Sequence, residues 1–172
     1  MMGELAYKVR RFSEADLESV IKINRTCLPE NYSSNFFIDI YRSYPEGFLV
    51  AEYNGEVVGY IMCRVEFGFS EFGRFRLTKK IHVVSIAVME QHRRKGLAKT
   101  LLTEAIKALD RKYGCSEVFL EVRVSNQPAI NLYRKLGFRD IRVIHHYYID
   151  SEDALVMARK LPLEEDLESE AG

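Results

Sequence analysis

The stretch RRKGLA at residues 93–98 stands between an apolar, β-branched run at residues 81–88 and an amphipathic segment at residues 96–113. The first run predicts a strand and the second a helix, because its apolar residues recur on one helical face. A helix that begins at Gly96 presents unpaired backbone N–H groups and the positive end of its dipole. This order of elements predicts an anion site, and a solvated basic helix start is the alternative.

The side chains of this stretch suit a phosphate ligand. Gly96 and Ala98 are small enough for phosphate oxygens to approach the backbone, while Arg93, Arg94 and Lys95 supply charged donors. The spacing matches neither GxGxxG nor a GK[ST] ending. A dinucleotide-binding fold and a P-loop NTPase are therefore disfavoured.

The rest of the chain alternates between strand and helix patterns. Asn54-Gly55 separates two strand patterns at residues 48–53 and 56–65 and predicts a hairpin, because both turn positions need a positive φ. Residues 67–80 lack a period and predict a loop or an irregular strand approach. Residues 138–149 and 154–161 predict two closing strands. The predicted order is β α α β β β α β α β β, a mixed sheet with helices on both faces.

Composition excludes several classes of protein. The 172 residues fit one domain, and 25 basic residues balance 25 acidic ones, so no overall field favours nucleic acid or a membrane surface. Neither a signal peptide nor a spanning apolar stretch is evident, which predicts an intracellular protein. Cys27, Cys63 and Cys115 form no CxxC pair and are predicted to be buried or half-buried thiols.

Several motifs together resemble the GNAT acetyltransferase family. Arg93-x-x-Gly96-x-Ala98 is similar to the family's pyrophosphate motif, and residues 125–133 with 136–138 are similar to its second element on the coenzyme A side. Within the family the chain resembles the catalytic subunit of N-terminal acetyltransferase A and its archaeal and RimI-type relatives. The further segments that carry this likeness are LPENY at 28–32, VRxSN at 122–126, YY at 147–148 and EDA at 152–154.

The resemblance implies one GNAT domain at residues 1–162, with a mostly antiparallel sheet of about seven strands, four flanking helices and a splayed central strand pair that holds coenzyme A. Residues 163–172 are interpreted as an acidic, disordered tail. Acetyl-CoA is the implied co-substrate, and no metal is required. The residues implied to bind it are Ile86, Ala87, Val88, Arg93, Arg94, Lys95, Gly96, Leu97, Ala98, Lys99, Asn126 and Tyr133.

The same resemblance implies catalytic and acceptor residues. Glu30, His82 and Glu121 would handle the proton of the attacking amine, and Tyr133 would protonate the departing thiolate. If the strands that carry His82 and Glu121 are neighbours, these two side chains lie close together, where an adventitious ion is conceivable. Acceptor binding is implied for Leu28, Pro29, Glu30, Tyr32, Tyr147 and Tyr148.

The resemblance therefore implies transfer of an acetyl group to protein or peptide N-termini, beginning with Ser, Ala, Thr or Met, on nascent chains or at the ribosome in the cytoplasm. A monomer or weak homodimer is expected, without nucleic acid or membrane as partner. Two alternatives stay open. One is acetylation of lysine or of a ribosomal protein, and the other is a non-catalytic acyl-CoA-binding module.

Overall fold

The computed structural model describes residues 7–163 of the chain. Apart from Leu163, the predicted acidic tail lies outside the described residues. The order of strands and helices predicted from the sequence is confirmed. The elements are β1 Tyr7–Arg11, α1 Leu17–Cys27, α2 Ser34–Ser43, β2 Phe48–Tyr53, β3 Glu56–Phe69, β4 Leu77–Val88, α3 Leu97–Tyr113, β5 Glu117–Arg123, α4 Gln127–Lys135, β6 Arg139–Ile144 and β7 Ala154–Lys160.

The seven strands form a sheet in the order β1-β2-β3-β4-β5-β7-β6. The ladders β1 with β2, β2 with β3, β5 with β7 and β6 with β7 are antiparallel. Strands β4 and β5 are parallel, and their ladder covers the pairs from Lys80 with Glu117 to His82 with Phe119. The predicted mixed, mostly antiparallel sheet with four helices is confirmed.

The chain forms two compact units, of which the first comprises Met1–Arg64 with Val83–Leu109. Its core gathers aromatic and aliphatic side chains from α1, α2, β2 and β3, among them Phe37, Phe48 and Tyr60. The predicted hairpin is present, because Asn54 and Gly55 both adopt a positive φ, of 50° and 83°. Within this unit, α1 and α2 can bury one apolar face each against the strands, as their spacing requires.

The second unit comprises Val65–His82 with Asp110–Gly172. Helix α4 begins after Asn126, whose side-chain oxygen accepts a hydrogen bond from the backbone N–H of Ala129. Gly137, at a φ of 85°, follows the helix and reverses the chain into β6. Strand β7 is buried along most of its length and lies between β5 and β6.

Residues 67–80 were predicted as a loop or an irregular strand approach, and the structure shows strand at both ends, because β3 continues to Phe69 and β4 begins at Leu77. The turn between them is fixed by buried Glu117, which accepts hydrogen bonds from the Ser70 hydroxyl and the Glu71 N–H, each at 2.6 Å. We refer to the ends of β3 and β4 on either side of this turn as the ribbon. Its strand period was hard to recognise, because Phe67, Phe69 and Leu77 are apolar and yet exposed.

The predicted strand over residues 138–149 was too long, since β6 ends at Ile144. His146 adopts a φ of 55°, which a strand cannot continue through, and Ser151 adopts 70°. Asp153 closes the loop by accepting hydrogen bonds from the His146 N–H and from the His145 ring. The prediction that Tyr147 and Tyr148 lie on a strand was therefore wrong, and both belong to this loop.

The cysteine prediction is confirmed, because Cys63 and Cys115 are buried and Cys27 is half-buried. Among the helices of residues 7–163, not one combines the length and the apolar character that crossing a membrane requires.

Candidate active site

The segment between β4 and α3 has the backbone of an anion cradle. Arg94 and Gly96 adopt positive φ angles of 60° and 79°, which turn the chain sharply into the helix. A β-carbon at Gly96 would meet no atom within 4 Å, so the approach to this backbone is open. Arg94 and Lys95 are exposed beside it, while the Arg93 Nε donates to the Val88 carbonyl at 2.8 Å and braces the turn. This geometry fits a diphosphate group.

A largely buried histidine lies between two carboxylates. Nε2 of His82 is 2.7 Å from Oε2 of Glu121, and Nδ1 is 2.9 Å from Oε1 of Glu66. The His82 side chain is only 12% exposed, and its ring stacks on Phe119 at a centroid distance of 4.4 Å. The predicted proximity of His82 and Glu121 is therefore confirmed, and Glu66 is an additional partner.

These contacts influence the pKa of His82. An ionised carboxylate only accepts hydrogen bonds, so two such contacts require a proton on both ring nitrogens. Burial lowers the pKa of His82, but the hydrogen bonds and charges of Glu121 and Glu66 outweigh it and raise that pKa above its usual value. The protonated form of His82 is therefore favoured, and an imidazolium has no lone pair left with which to accept a proton.

The raised pKa of His82 predicts a pH-dependent stability. Protonation of His82 stabilises the folded state fully below the unfolded pKa of 6.5, and this contribution is lost as pH rises through the higher folded pKa. We expect the difference in free energy of unfolding between the wild type and His82→Gln to shrink over that range in urea titrations. A constant difference for His82→Gln would contradict the assignment of the imidazolium.

The loop between α1 and α2 carries Glu30 and Tyr32, both half-buried. Asn24 of α1 donates from Nδ2 to the Glu30 carbonyl at 3.0 Å and accepts from the Tyr32 N–H at 3.4 Å. The Tyr32 ring stacks on Phe36 at 4.7 Å, and its hydroxyl donates to the Val84 carbonyl at 3.4 Å. Leu28 packs against the core of the first unit, and Pro29 is exposed.

Tyr147 and Tyr148 lie in the loop before β7, where their rings meet edge to face at 5.0 Å. The Arg123 guanidinium lies over the Tyr148 ring at 4.1 Å and donates to Asp150 and Glu152 at 2.8 and 2.9 Å. Arg123 therefore anchors the loop that presents both tyrosines.

Two predicted residues of the donor side lie on α4 and at its start. Asn126 caps the helix with its side-chain oxygen. Tyr133 is buried and its ring packs 5.8 Å from that of Phe138. Ring packing and a role for the hydroxyl are compatible, because they involve opposite ends of the side chain.

Sequence reasoning missed Glu66, Asn24 and the anchoring role of Arg123. Glu66 lies in β3, between the strand predicted at residues 56–65 and the stretch without a period at residues 67–80. Its register against β4 could therefore not be assigned. For Asn24, the available signal was a polar residue on the apolar face of α1.

The metal prediction can be compared only with the described part of the chain. Within residues 7–163, no cluster of three or more His, Cys, Asp and Glu side chains has an arrangement that could hold a metal ion. Both ring nitrogens of His82 are directed at carboxylates.

Comparisons with known proteins identify the family of the chain. The model of the Acetyltransferase (GNAT) family matches residues 17–138, more than half of the chain. An N-alpha-acetyltransferase of Sulfurisphaera tokodaii is 53% identical over 156 residues, which cover 90% of this chain and 93% of that protein. The N-terminal acetyltransferase A complex catalytic subunit NAA10 of Arabidopsis thaliana is 38% identical, over 89% of this chain and 77% of its own length.

Solved structures show the same similarity. Ard1 from Thermoplasma volcanium is 34% identical, with a TM-score of 0.78, 91% of this chain covered and 99% of that one. Chaetomium thermophilum Naa20, solved in complex with a bisubstrate analogue, is 32% identical, with a TM-score of 0.80 and coverages of 95% and 90%. The family resemblance inferred from the motifs is confirmed, and the chain belongs to the GNAT family of acetyltransferases.

Proposed function

We propose that the protein transfers the acetyl group of acetyl-CoA to the α-amine of protein N-termini. The observation that carries this proposal is the buried His82 cluster, whose two carboxylates supply a proton acceptor. Its support from relatives is that the protein of Sulfurisphaera tokodaii bears the name N-alpha-acetyltransferase at 53% identity. Ser, Ala, Thr or Met as the first residue of the acceptor is part of the proposal.

The donor side of the proposal rests on the cradle and on β4. Residues 93–99 hold the pyrophosphate through the backbone N–H groups after Gly96 and the charges of Arg94, Lys95 and Lys99. The backbone of Ile86, Ala87 and Val88 pairs with the pantetheine arm in the manner of an added strand. Asn126 orders the start of α4 and contributes to this side.

The chemistry needs a neutral amine and a protonated leaving thiolate. An α-amine has a reference pKa of about 8 and a lysine amine about 10.4, so a carboxylate suffices as base for an N-terminus. The nitrogen of the α-amine attacks the thioester carbonyl, and Glu121 accepts the amine proton through water. The carbon–sulfur bond then breaks. Tyr133 supplies the proton to the thiolate. His82, held by Glu66, orients Glu121.

The acceptor side combines two loops. Glu30 contacts the substrate amine, Leu28 and Pro29 line the pocket for the first residue, and Tyr32, Tyr147 and Tyr148 hold the peptide backbone through hydroxyl groups. Support for the loop of Tyr147 comes from its anchoring through Arg123. We expect the enzyme to act in the cytoplasm on nascent chains. The expected domain comprises residues 1–162 and is active as a monomer or weak homodimer.

A peptide competition tests the acceptor. One peptide starts with Ser or Ala and lacks lysine, and the other is blocked at its N-terminus and carries a free lysine. We expect acetyl-CoA-dependent acetylation of the first at a rate that exceeds that of the second. A preference for lysine would overturn the proposal in favour of the alternative. Absence of turnover on both, with acetyl-CoA bound, would favour the non-catalytic binding module.

Charge reversal in the cradle tests the donor site. We expect Arg94→Glu to raise the KM for acetyl-CoA about tenfold or more, because a charge-assisted contact to phosphate becomes a repulsion. The KM for the peptide should not follow. Lys8→Glu, at an exposed lysine of β1, is the matched control and should behave as the wild type. Equal behaviour of both variants would remove Arg94 from the site.

A further inference from the structure

A chain of buried polar groups crosses the apolar core of the first unit. Asn24, in the last turn of α1, is 1% exposed. Its Nδ2 donates to the Tyr60 hydroxyl of β3 at 3.1 Å, and that hydroxyl lies 2.6 Å from the Ser85 hydroxyl of β4. Apolar side chains could fill the same space, and burying polar groups costs free energy that hydrogen bonds only offset. Packing alone therefore does not explain these three residues.

The same amide of Asn24 reaches the loop that follows α1. Nδ2 also donates to the Glu30 carbonyl at 3.0 Å, and Oδ1 accepts from the Tyr32 N–H at 3.4 Å. One side chain thus holds the loop backbone on both sides of Asn31. Binding both backbone groups of the loop requires a donor and an acceptor on one short side chain. Asparagine has both, whereas aspartate lacks the donor and leucine lacks both.

At its other end the network reaches β4. Ser85 directly precedes Ile86, Ala87 and Val88, the segment proposed to pair with pantetheine. Burial raises the pKa of Tyr60 to about 12, so its hydroxyl stays protonated and can donate and accept at any physiological pH.

We infer that Asn24 is a positioning residue that sets the Glu30 loop for acceptor binding, and that Tyr60 and Ser85 tie this loop to the donor strand β4. The inference rests on the proposed function, since it assumes that Glu30 and Tyr32 bind the acceptor. Asn24 touches no reacting atom and acts through the backbone of the loop. Its loss should therefore affect the acceptor more than the donor.

Kinetics of Asn24→Ala test the inference. We expect kcat/KM for a Ser-started peptide to fall about tenfold or more, while the KM for acetyl-CoA stays within about twofold. Val20→Ala is the matched control, because Val20 is fully buried on the same helix, one turn earlier, and belongs to the same core. Both variants lose stability, and only Asn24→Ala loses the hydrogen bonds to the loop.

Tyr60→Phe keeps the ring in the core and removes only the hydroxyl. We expect a smaller loss in peptide kcat/KM in the same direction, and we expect the double variant with Asn24→Ala to be no worse than Asn24→Ala alone, because both act through one network. Additive losses would mean that the two residues act separately and would overturn the network.

The outcomes separate this inference from the proposed function. A wild type that acetylates lysine rather than the N-terminus contradicts the proposed function, and the variants can then be measured with that acceptor. If the wild type acetylates the N-terminus and Asn24→Ala matches Val20→Ala in every kinetic constant, the inference is overturned while the proposed function stands.

Discussion

Glu121→Gln is expected to lower kcat by about 10²–10⁴-fold, the usual contribution of a general base. Glutamine keeps the size and one oxygen of the side chain but cannot accept a proton. Glu121 is hydrogen-bonded to His82 at 2.7 Å and only 17% exposed, so water cannot readily replace it. The measurement is the initial rate of coenzyme A release with a Ser-started peptide at saturating acetyl-CoA.

Matched variants make this result specific. Glu56→Gln, at an exposed carboxylate of the β2–β3 turn, should leave the rate unchanged. Glu66→Gln should lower the rate less than Glu121→Gln and shift the pH profile, because it acts on the charge of His82. A loss within about threefold for Glu121→Gln would exclude it as the base and direct attention to Glu30.

Glu30→Gln distinguishes the two carboxylates. If Glu30 only binds the amine, its replacement mainly raises the KM for the peptide, whereas loss of the base lowers kcat. The sequence alone could not separate these roles, because a loop carboxylate and a strand carboxylate look alike without their partners. The environment of Glu121 supplies the distinction, because its carboxylate lies 2.7 Å from the His82 ring.

Local signals accounted for most of the fold and for the cradle. The Asn54-Gly55 turn depends on these two residues themselves and was predicted correctly. Pro128 in the first turn of α4 and Gly137 after its end are local signals of the same kind. The family motif at residues 93–98 is likewise local. The family likeness then predicts the donor site from these local residues, and no long-range contact is needed for that prediction.

What failed depended on contacts between distant residues. The ribbon after Val65 could not be predicted, because Glu117, far along the chain, fixes its turn. The sequence around Tyr147 has a strand pattern. The structure shows that it is a loop, which Asp153 closes through a hydrogen bond from the His146 N–H. Glu66 joined His82 only through the pairing of strands whose register the sequence did not reveal.

Lys80→Met is expected to lower the free energy of unfolding by about 1–3 kcal/mol, the cost of leaving a buried carbonyl without its hydrogen bond. Methionine preserves most of the packing volume. The Lys80 ammonium donates to the Phe69 carbonyl at 2.8 Å, lies 3.3 Å from the Glu71 carboxylate and sits 4.5 Å above the Phe119 ring. Its removal leaves a buried carbonyl and weakens the turn of the ribbon.

Lys79→Met provides the control, because Lys79 is the preceding residue of β4 and is exposed, with one hydrogen bond to the Tyr113 carbonyl. That variant should change the free energy of unfolding by about 1 kcal/mol or less. Urea or guanidinium titration of both variants measures the difference. Equal costs would show that the ammonium of Lys80 is no more important than a surface charge. A much larger cost for Lys80→Met would mean that the charge of Lys80 stabilises the β3–β4 ribbon within the second unit. Nothing in the sequence indicated this, because Lys80 is one of many basic residues.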